Sequence, residues 1–233
     1  FTSETYFEIK TTYRDVLFAS TKGKINAKEN AQEIIDSIKT AEFEIVSYEQ
    51  KEGKELPPSL FDLTSIQVES NKRFGFTAEQ TLNIVQKLYE QKLVTYPRVD
   101  TTYLTDDIYP KIENTLRNLT PYSELTQPLL GKKIRKSKKV FDNKKVTDHH
   151  AIIPTGVVAS HLTDEFQKIY DTITKRFIAV FYPDCKVSNT TVLGEVEKHE
   201  FRASGKQILE PGWRVVYGIT KDESDTQDKE AEQ

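Results

Sequence analysis

The stretch that decides the fold is TAEQTLNIVQKLYEQKLVTYPRVD, residues 77–100. Thr77 and Gln80 form a capping-box pattern at its start, which predicts the N-terminus of a helix. The apolar face of this helix is expected to consist of Leu82, Val85, Leu88 and Tyr89. The chain therefore has a helical segment in its middle, followed at once by a short turn that contains Pro97.

The two ends of the chain have the patterns of β-structure. Polar and apolar residues alternate over 5–13, and 15–20 is expected to be the hairpin partner of that strand. A helix is predicted over 26–39, with Ile34, Ile35 and Ile38 on one side, and a strand over 42–48. Towards the C-terminus, strands are expected around 187–193, 201–203 and 213–217, separated by Gly194, Gly205 and Gly212.

These patterns predict an α+β multidomain fold. A β-rich domain is built from both parts of the chain, 1–59 and 156–220, and is interrupted by an inserted, mainly helical domain over 60–155. Further helices are expected over 105–119, with a regular start near Pro110, and after Thr163. Residues 221–233 carry six acidic residues against two lysines and are expected to be disordered.

Composition limits the possible functions. With 233 residues, 36% hydrophobic content and a net charge of −3, the chain should fold but should not coat nucleic acid along its whole surface. The single cysteine, Cys185, excludes an internal disulfide and a four-thiolate zinc site. No apolar run suits a membrane span or signal peptide, so we expect a cytoplasmic protein without a membrane partner.

The first chemistry-bearing segment is Leu-Val-Thr-Tyr-Pro-Arg-Val-Asp, residues 93–100. Pro97 fixes its own backbone and restricts Tyr96, so the phenol is aimed reproducibly. A phenol can form a covalent link to a phosphodiester, and a guanidinium such as Arg98 can stabilise the charge that develops on phosphorus. Taken alone, the triplet is a weak signal, and a buried tyrosine in a turn is the simpler interpretation.

The second segment is Asp-His-His-Ala-Ile-Ile-Pro-Thr, residues 148–155. Neighbouring imidazoles suit proton transfer, phosphate contact or metal binding. Metal ligation is the weakest of these, because adjacent residues of an extended segment point to opposite sides. A solvated histidine pair is the alternative without chemistry.

Together these segments resemble the type IA DNA topoisomerases, especially bacterial topoisomerase III. The residues that carry the resemblance are Phe61, Ser65, Gln67, Arg73, Phe74, Gly75, the segment 93–104, the segment 148–155, and Phe201 to Gly205 with Gly212 and Trp213. The likeness covers nearly the whole chain apart from the acidic tail. One position departs from the family pattern, because Val99 stands where relatives have a threonine, while Thr101 keeps a hydroxyl.

The resemblance implies roles for individual residues. Tyr96 would attack single-stranded DNA and form a 5′-phosphotyrosine, Arg98 would contact the scissile phosphate, and His149, rather than His150, would support phosphate binding. It also implies DNA contacts for Gln67, Arg73 and Asp100.

The resemblance further implies a part of the enzyme that this sequence does not display. Relatives bind Mg²⁺ through an acidic cluster in a Toprim domain, and no Asp-x-Asp-x-Glu arrangement follows a strand here. We therefore expect a fragment with the tyrosine-bearing gate and the β-rich arch, no metal site of its own, and no activity when isolated. The expected partners are single-stranded DNA, the Toprim domain and, as a candidate, a helicase.

A basic segment interrupts the acidic chain. Residues 131–146 contain eight basic residues and one acid, Asp142. The cations expected to contact DNA are Lys132, Lys133, Arg135, Lys136, Lys138 and Lys139. A solvated loop without a partner is the alternative.

Two other functions fit parts of the sequence. The chain could be a module that only binds single-stranded DNA. It could also belong to the metal-dependent phosphoesterases named after an Asp-His-His motif, but these need further aspartates at strand ends that the sequence does not show.

Overall fold

The computed structural model describes residues 4–219. Within that range the chain forms two compact units. Of the described residues, the sheet unit contains 4–54 and 186–210, and the helical unit contains 55–185 and 211–219. The acidic tail predicted over 221–233 lies outside the described residues.

The sheet unit is a five-stranded sheet with one covering helix. Its elements are β1 (Lys10–Tyr13), β2 (Val16–Ser20), α1 (Lys28–Ile38), β3 (Glu44–Glu55), β4 (Cys185–Val196) and β5 (His199–Glu210). The strand order is β1-β2-β5-β4-β3, and the pairs β1–β2, β2–β5 and β4–β5 are antiparallel. A mixed fold with an antiparallel sheet is thus confirmed.

Both hairpins of this sheet turn on two residues with positive φ. Arg14 and Asp15 have φ of 48° and 64° between β1 and β2, and Glu197 and Lys198 have φ of 45° and 68° between β4 and β5. Two-residue loops of this kind match the right-handed twist of the flanking strands. The hairpin predicted near residue 14 is confirmed, although β1 begins only at Lys10.

Aromatic rings form the core of the sheet unit. Phe43 lies 5.0 Å from Phe18 and 6.1 Å from Phe201, measured between ring centroids. Helix α1 covers this core through buried Ala31. Ile35 was expected on the same side but is 38% exposed, because the apolar stripe of α1 is narrower than its sequence suggests.

Two of the three glycines predicted to separate the C-terminal strands lie inside strands. Gly194 pairs with Phe201, and Gly205 pairs with Thr190, so β4 and β5 continue through both. The ring of Phe43 packs directly on the Gly194 backbone and leaves no room for a Cβ atom. The glycine therefore serves close packing and does not end the strand.

The helical unit contains five α-helices among its described residues. They are α2 (Leu63–Phe74), α3 (Ala78–Glu90), α4 (Tyr109–Asn118), α5 (Ser123–Thr126) and α6 (Asp164–Ala179). Thr77 caps α3 by accepting a hydrogen bond from Gln80 N, but the Gln80 side chain donates to Glu165 instead of completing the predicted capping box. A complete capping box occurs at α2, where Asp62 and Ser65 bond each other reciprocally.

The predicted domain boundary at residue 155 does not coincide with a boundary between the two compact units. Residues 156–185 cluster with the helical unit rather than with the sheet. Helix α6 buries Ile173 and Phe177 in the helical core, and Arg176 donates to the Ser59 carbonyl at 2.9 Å and lies 4.1 Å from the Phe61 ring. The apolar face of an amphipathic helix predicts that the helix packs against another element, but the sequence does not identify that element.

The strand predicted over 213–217 is a 3₁₀ helix, Gly212–Tyr217. Gly212 has φ of 52°, and a Cβ there would lie 2.5 Å from the Pro183 and Asp184 carbonyl oxygens. Trp213 donates its backbone N–H to Pro183 and its indole N–H to the Glu55 carbonyl. These contacts bend the chain away from β5, which an alternating pattern of apolar residues cannot reveal.

Candidate active site

The segment that carries Tyr96 leaves α3 through a left-handed turn. Lys92 has φ of 62°, an uncommon conformation for a residue with a side chain. Its N–H donates to the Tyr89 carbonyl at 2.8 Å, and the Leu93 N–H donates to the Leu88 carbonyl at 2.9 Å. Leu93 is then buried, so the turn directs the chain into the core immediately before the tyrosine.

Hydrogen bonds of Thr95 and Thr155 clamp this segment to the histidine-bearing segment. Thr95 N donates to Ile153 O at 2.9 Å, and Thr155 N donates to Leu93 O at 3.1 Å. The Thr95 hydroxyl donates to Ala151 O at 3.2 Å and accepts from Ile153 N at 3.0 Å. The Thr155 hydroxyl donates to Lys92 O at 2.6 Å. The two segments singled out in the sequence are therefore fixed side by side.

The ring of the candidate nucleophile, Tyr96, contacts two other rings. The ring centroids of Tyr96 and His149 are 4.5 Å apart with an interplanar angle of 41°. Tyr89 meets Tyr96 edge-to-face, with centroids 5.5 Å apart and an angle of 79°. Tyr89 had been expected on the buried face of α3, but it is 38% exposed, and Ile84 is buried there instead.

Tyr96 is one of the residues that line a cleft with a volume of about 910 Å³. The cleft is lined by Asp62, Leu63, Thr64, Tyr96, Arg98, Val99, Asp100, Thr147, Asp148 and His149. All three residues predicted to be catalytic thus line one surface, together with Asp100. Within residues 4–219, neither the Tyr96 hydroxyl nor the Arg98 guanidinium makes a hydrogen bond or an ion pair, so both can engage a ligand.

The first turn of α2 forms part of the wall of this cleft. Leu63 and Thr64 lie at the N-terminus of the helix, where backbone N–H groups favour anions. The Asp62 carboxylate is occupied by the helix cap, since Ser65 N donates to it at 2.7 Å. Leu63 N donates to Val99 O, and the capping carboxylate offsets the helix dipole. Arg98 therefore supplies the positive charge of the cleft, while Asp100 and Asp148 add negative charge at the exposed surface.

The position that departs from the family pattern suits an apolar side chain. Val99 is 8% exposed and belongs to the core of the helical unit, while its carbonyl accepts from Leu63 N at 3.1 Å. A buried hydroxyl at this position would need a hydrogen-bond partner of its own. The Thr101 hydroxyl that the sequence retains donates to Lys145 O at 2.6 Å.

The two neighbouring histidines have different environments. His149 is exposed in the cleft against the Tyr96 ring. His150 is half-buried, and its Nδ1 lies 2.7 Å from the Ala151 carbonyl oxygen. A carbonyl only accepts, so Nδ1 carries the proton in this bond.

Two residues that the resemblance assigns to DNA binding lie along α2, away from the lining of the cleft. Gln67 donates to the Ala78 carbonyl at 3.0 Å and so helps to join α2 to α3. Arg73 donates to the Thr172 hydroxyl at 3.3 Å and lies 4.0 Å from a Glu69 carboxylate oxygen. Both side chains make polar contacts within the helical unit, and their contacts with DNA stay predictions.

The basic segment divides into paired and unpaired cations. Arg135 forms an ion pair with Asp184 at 2.7 Å, and Lys136 forms one with Asp106 at 2.6 Å. Within the described part of the chain, five lysines of this segment are exposed and form no ion pair or side-chain hydrogen bond, namely Lys132, Lys133, Lys138, Lys139 and Lys144. Lys145 donates to the Tyr103 hydroxyl at 2.9 Å, and this hydrogen bond raises the pKa of Lys145.

Residues 4–219 bring no three His, Cys, Asp or Glu side chains close enough to share a metal ion. The described residues by themselves therefore do not fit a magnesium site. In the same range, no helix has the length and apolar character needed to span a bilayer.

Several residues of the site were not identified from sequence. Tyr89, Thr64 and Thr147 contact the tyrosine or line the cleft because distant segments meet there. The sequence contained a signal for Asp62, because Asp62 followed by Ser65 is an N-cap pattern that predicts the start of a helix. It does not predict that this helix end lies beside Tyr96.

Comparison with known proteins identifies the class. The family model described as DNA topoisomerase matches residues 1–233, so the chain belongs to the DNA topoisomerase family. The resemblance to type IA enzymes drawn from the two motifs is confirmed.

The curated relatives are named DNA topoisomerase 3. The chain is 37% identical to that of Bacillus cereus (strain ZK / E33L) over 236 residues, covering 99% of this chain and 32% of the relative. It is 41% identical to that of Bacillus subtilis (strain 168) over 180 residues, covering 75% and 25%. The chain thus spans about a third of the length of the first of these relatives.

A solved structure shows the same fold. Full-length topoisomerase I from Thermotoga maritima superposes with a TM-score of 0.67 at 21% identity, over 94% of this chain and 37% of that one.

Proposed function

We propose that this chain is the part of a type IA topoisomerase that supplies the nucleophile for breaking and rejoining single-stranded DNA. The observation that carries the proposal is the cleft in which Tyr96 is fixed against His149, with Arg98 on the same surface. The names of the curated relatives support the activity, which belongs to a protein about three times as long as this chain.

In the proposed reaction, the Tyr96 hydroxyl oxygen attacks a phosphorus atom of the DNA backbone. A bond forms between that oxygen and phosphorus, the bond from phosphorus to the 3′ oxygen breaks, and a 5′-phosphotyrosine and a 3′-hydroxyl result. The phenolic proton is lost and the 3′ oxygen gains one, so the reverse attack reseals the strand without an external energy source.

Each neighbouring group has a distinct part in this proposal. The Arg98 guanidinium stabilises the charge that develops on the phosphate oxygens. His149 holds the phenol through ring contact and is close enough to approach the same phosphate. The phenol must lose its proton when it attacks, so this proton transfer is part of the barrier.

The helical unit would be the movable gate and the sheet unit the arch of the parent enzyme. Magnesium would be held by a Toprim domain elsewhere in that enzyme, because the described residues do not fit it. We place the parent in the cytoplasm with single-stranded DNA as substrate, and a helicase is a candidate partner.

The test is covalent trapping of a labelled single-stranded oligonucleotide by the full-length parent. Tyr96→Phe should abolish the adduct, whereas Arg98→Ala should bind DNA but cleave it about 10²-fold more slowly, the effect of losing one preorganised donor. Arg117→Ala, which removes an exposed arginine paired with Glu113 on α4, is the matched control. Binding without any adduct in the wild type would favour a module that only holds single-stranded DNA.

A further inference from the structure

A ring contact of Tyr96 suggests a residue that neither the motifs nor the proposed reaction includes. Tyr89 lies on the last turn of α3, seven residues before Tyr96 in the chain. Its ring meets the Tyr96 ring edge-to-face, at 5.5 Å between centroids and 79° between planes. This is a favourable arrangement for two aromatic rings, since the positive edge of one meets the negative face of the other.

The Tyr96 ring is therefore held from two directions. His149 contacts it at 4.5 Å with an inclined plane, and Tyr89 contacts it edge-to-face. The cleft is open on the remaining side, where the hydroxyl has no hydrogen-bond partner within residues 4–219. Ring packing, rather than hydrogen bonding, is what holds the phenol in its orientation.

The partial exposure of Tyr89 indicates that its ring supports the Tyr96 ring and is not part of the buried core. Its side chain is 38% exposed, although the preceding Leu88 is fully buried. The backbone carbonyl of Tyr89 also accepts from Lys92 N and so shapes the turn that leads to Tyr96. A side-chain substitution leaves that carbonyl in place, which allows the ring contact to be tested by itself.

We propose that Tyr89 is a positioning residue for the nucleophile, which it holds in the attacking orientation through its ring and not through its hydroxyl. This inference rests on the proposed function of Tyr96. Loss of the ring should reduce the fraction of time in which the phenol is aligned, and it should leave DNA affinity unchanged because Tyr89 is not part of the cleft lining.

The experiment compares Tyr89→Leu, Tyr89→Met and Tyr89→Phe in the full-length parent. Leu and Met remove the ring but keep an apolar side chain that favours helix, whereas Phe keeps the ring and removes only the hydroxyl. Adduct formation at saturating oligonucleotide should slow roughly three- to tenfold in the first two variants and stay at the wild-type rate in Tyr89→Phe. The dissociation constant for DNA should be unchanged in all three.

A spectroscopic readout tests whether the rings of Tyr89 and Tyr96 are in contact in solution, and unchanged Tyr96 resonances in Tyr89→Leu would overturn the inference. The ring carbon resonances of Tyr96, assigned through Tyr96→Phe in this chain, should move in Tyr89→Leu because the neighbouring ring current is lost. They should not move in Tyr48→Leu, which removes an exposed tyrosine from β3.

The outcomes distinguish this inference from the proposed function. If Tyr89→Leu and Tyr89→Met cleave at the wild-type rate while Tyr96→Phe forms no adduct, the role of Tyr89 is wrong and the nucleophile stands. Slow cleavage by Tyr89→Phe would place the effect in the hydroxyl and also overturn the inference. An adduct that persists in Tyr96→Phe would overturn the proposed function itself.

Discussion

His149 and His150 are adjacent in sequence but differ in what they touch. Only His149 contacts the Tyr96 ring, whereas His150 is bound to the Ala151 carbonyl. We expect His149→Ala in the full-length parent to slow adduct formation by less than the loss of Arg98, and His150→Ala to leave it nearly unchanged. Single-turnover cleavage of a labelled oligonucleotide measures both rates, and equal effects of the two substitutions would contradict the assignment.

At the scale of residues, the sequence identified the groups whose local context is distinctive. Tyr96 and Arg98 flank a proline, and His149 lies in a compact polar segment, so each stands out without knowledge of the fold. Tyr89 and Thr95 could not be found this way, because their contacts depend on the turn at Lys92 and on the clamp to Ile153. A ring on an amphipathic helix is more simply interpreted as core.

At the scale of elements, Gly194 tests how the sheet packs. Gly194→Ala places a Cβ against the Phe43 ring and should destabilise the sheet unit by about 1–3 kcal/mol, the usual range for overpacking. The matched control is Gly53→Ala in β3, whose Cβ would meet Asn189 and Val187 at ordinary distances of 3.5 and 3.7 Å. Hydrogen exchange of the β4 and β5 amides should accelerate only in Gly194→Ala, and equal protection in both variants would refute this explanation.

The basic segment is the second feature to test at this scale. Replacing Lys132, Lys133, Lys138 and Lys139 by Gln should reduce the salt dependence of single-stranded DNA binding, by up to about 3 in the slope of log K against log salt. The control replaces four exposed lysines of the sheet unit by Gln, namely Lys22, Lys24, Lys28 and Lys54. If both sets lower the slope equally, only net charge matters and the segment is a solvated loop.

Elements were predictable where the pattern and the local turn agree. The β1–β2 hairpin and the start of α4 near Pro110 follow from alternation and from proline geometry. The prediction was wrong where tertiary contacts override the pattern. Gly194 was predicted to end a strand, but it lies within β4 and makes room for the Phe43 ring. Residues 213–217 were predicted to be a strand, but Gly212 bends the chain towards Pro183 and a 3₁₀ helix follows.

At the scale of the whole molecule, the chain and its parent should differ in activity. The chain spans about a third of its curated relative, and the described residues form no cluster of metal ligands. We expect the isolated chain not to relax supercoiled DNA at any magnesium concentration. Gel electrophoresis of a supercoiled plasmid checks this, and relaxation that disappears with Tyr96→Phe would contradict it.

The identity of the nucleophile is the central claim, and the sequence offers a direct way to test it. Trypsin cuts after Lys92 and Arg98, so Tyr96 is the only tyrosine in the peptide Leu-Val-Thr-Tyr-Pro-Arg, residues 93–98. After the full-length parent has been trapped on single-stranded DNA and digested with nuclease and trypsin, mass spectrometry should find this peptide joined to a nucleotide through its 5′ phosphate. A nucleotide on any other peptide, or one joined through a 3′ phosphate, would contradict the account.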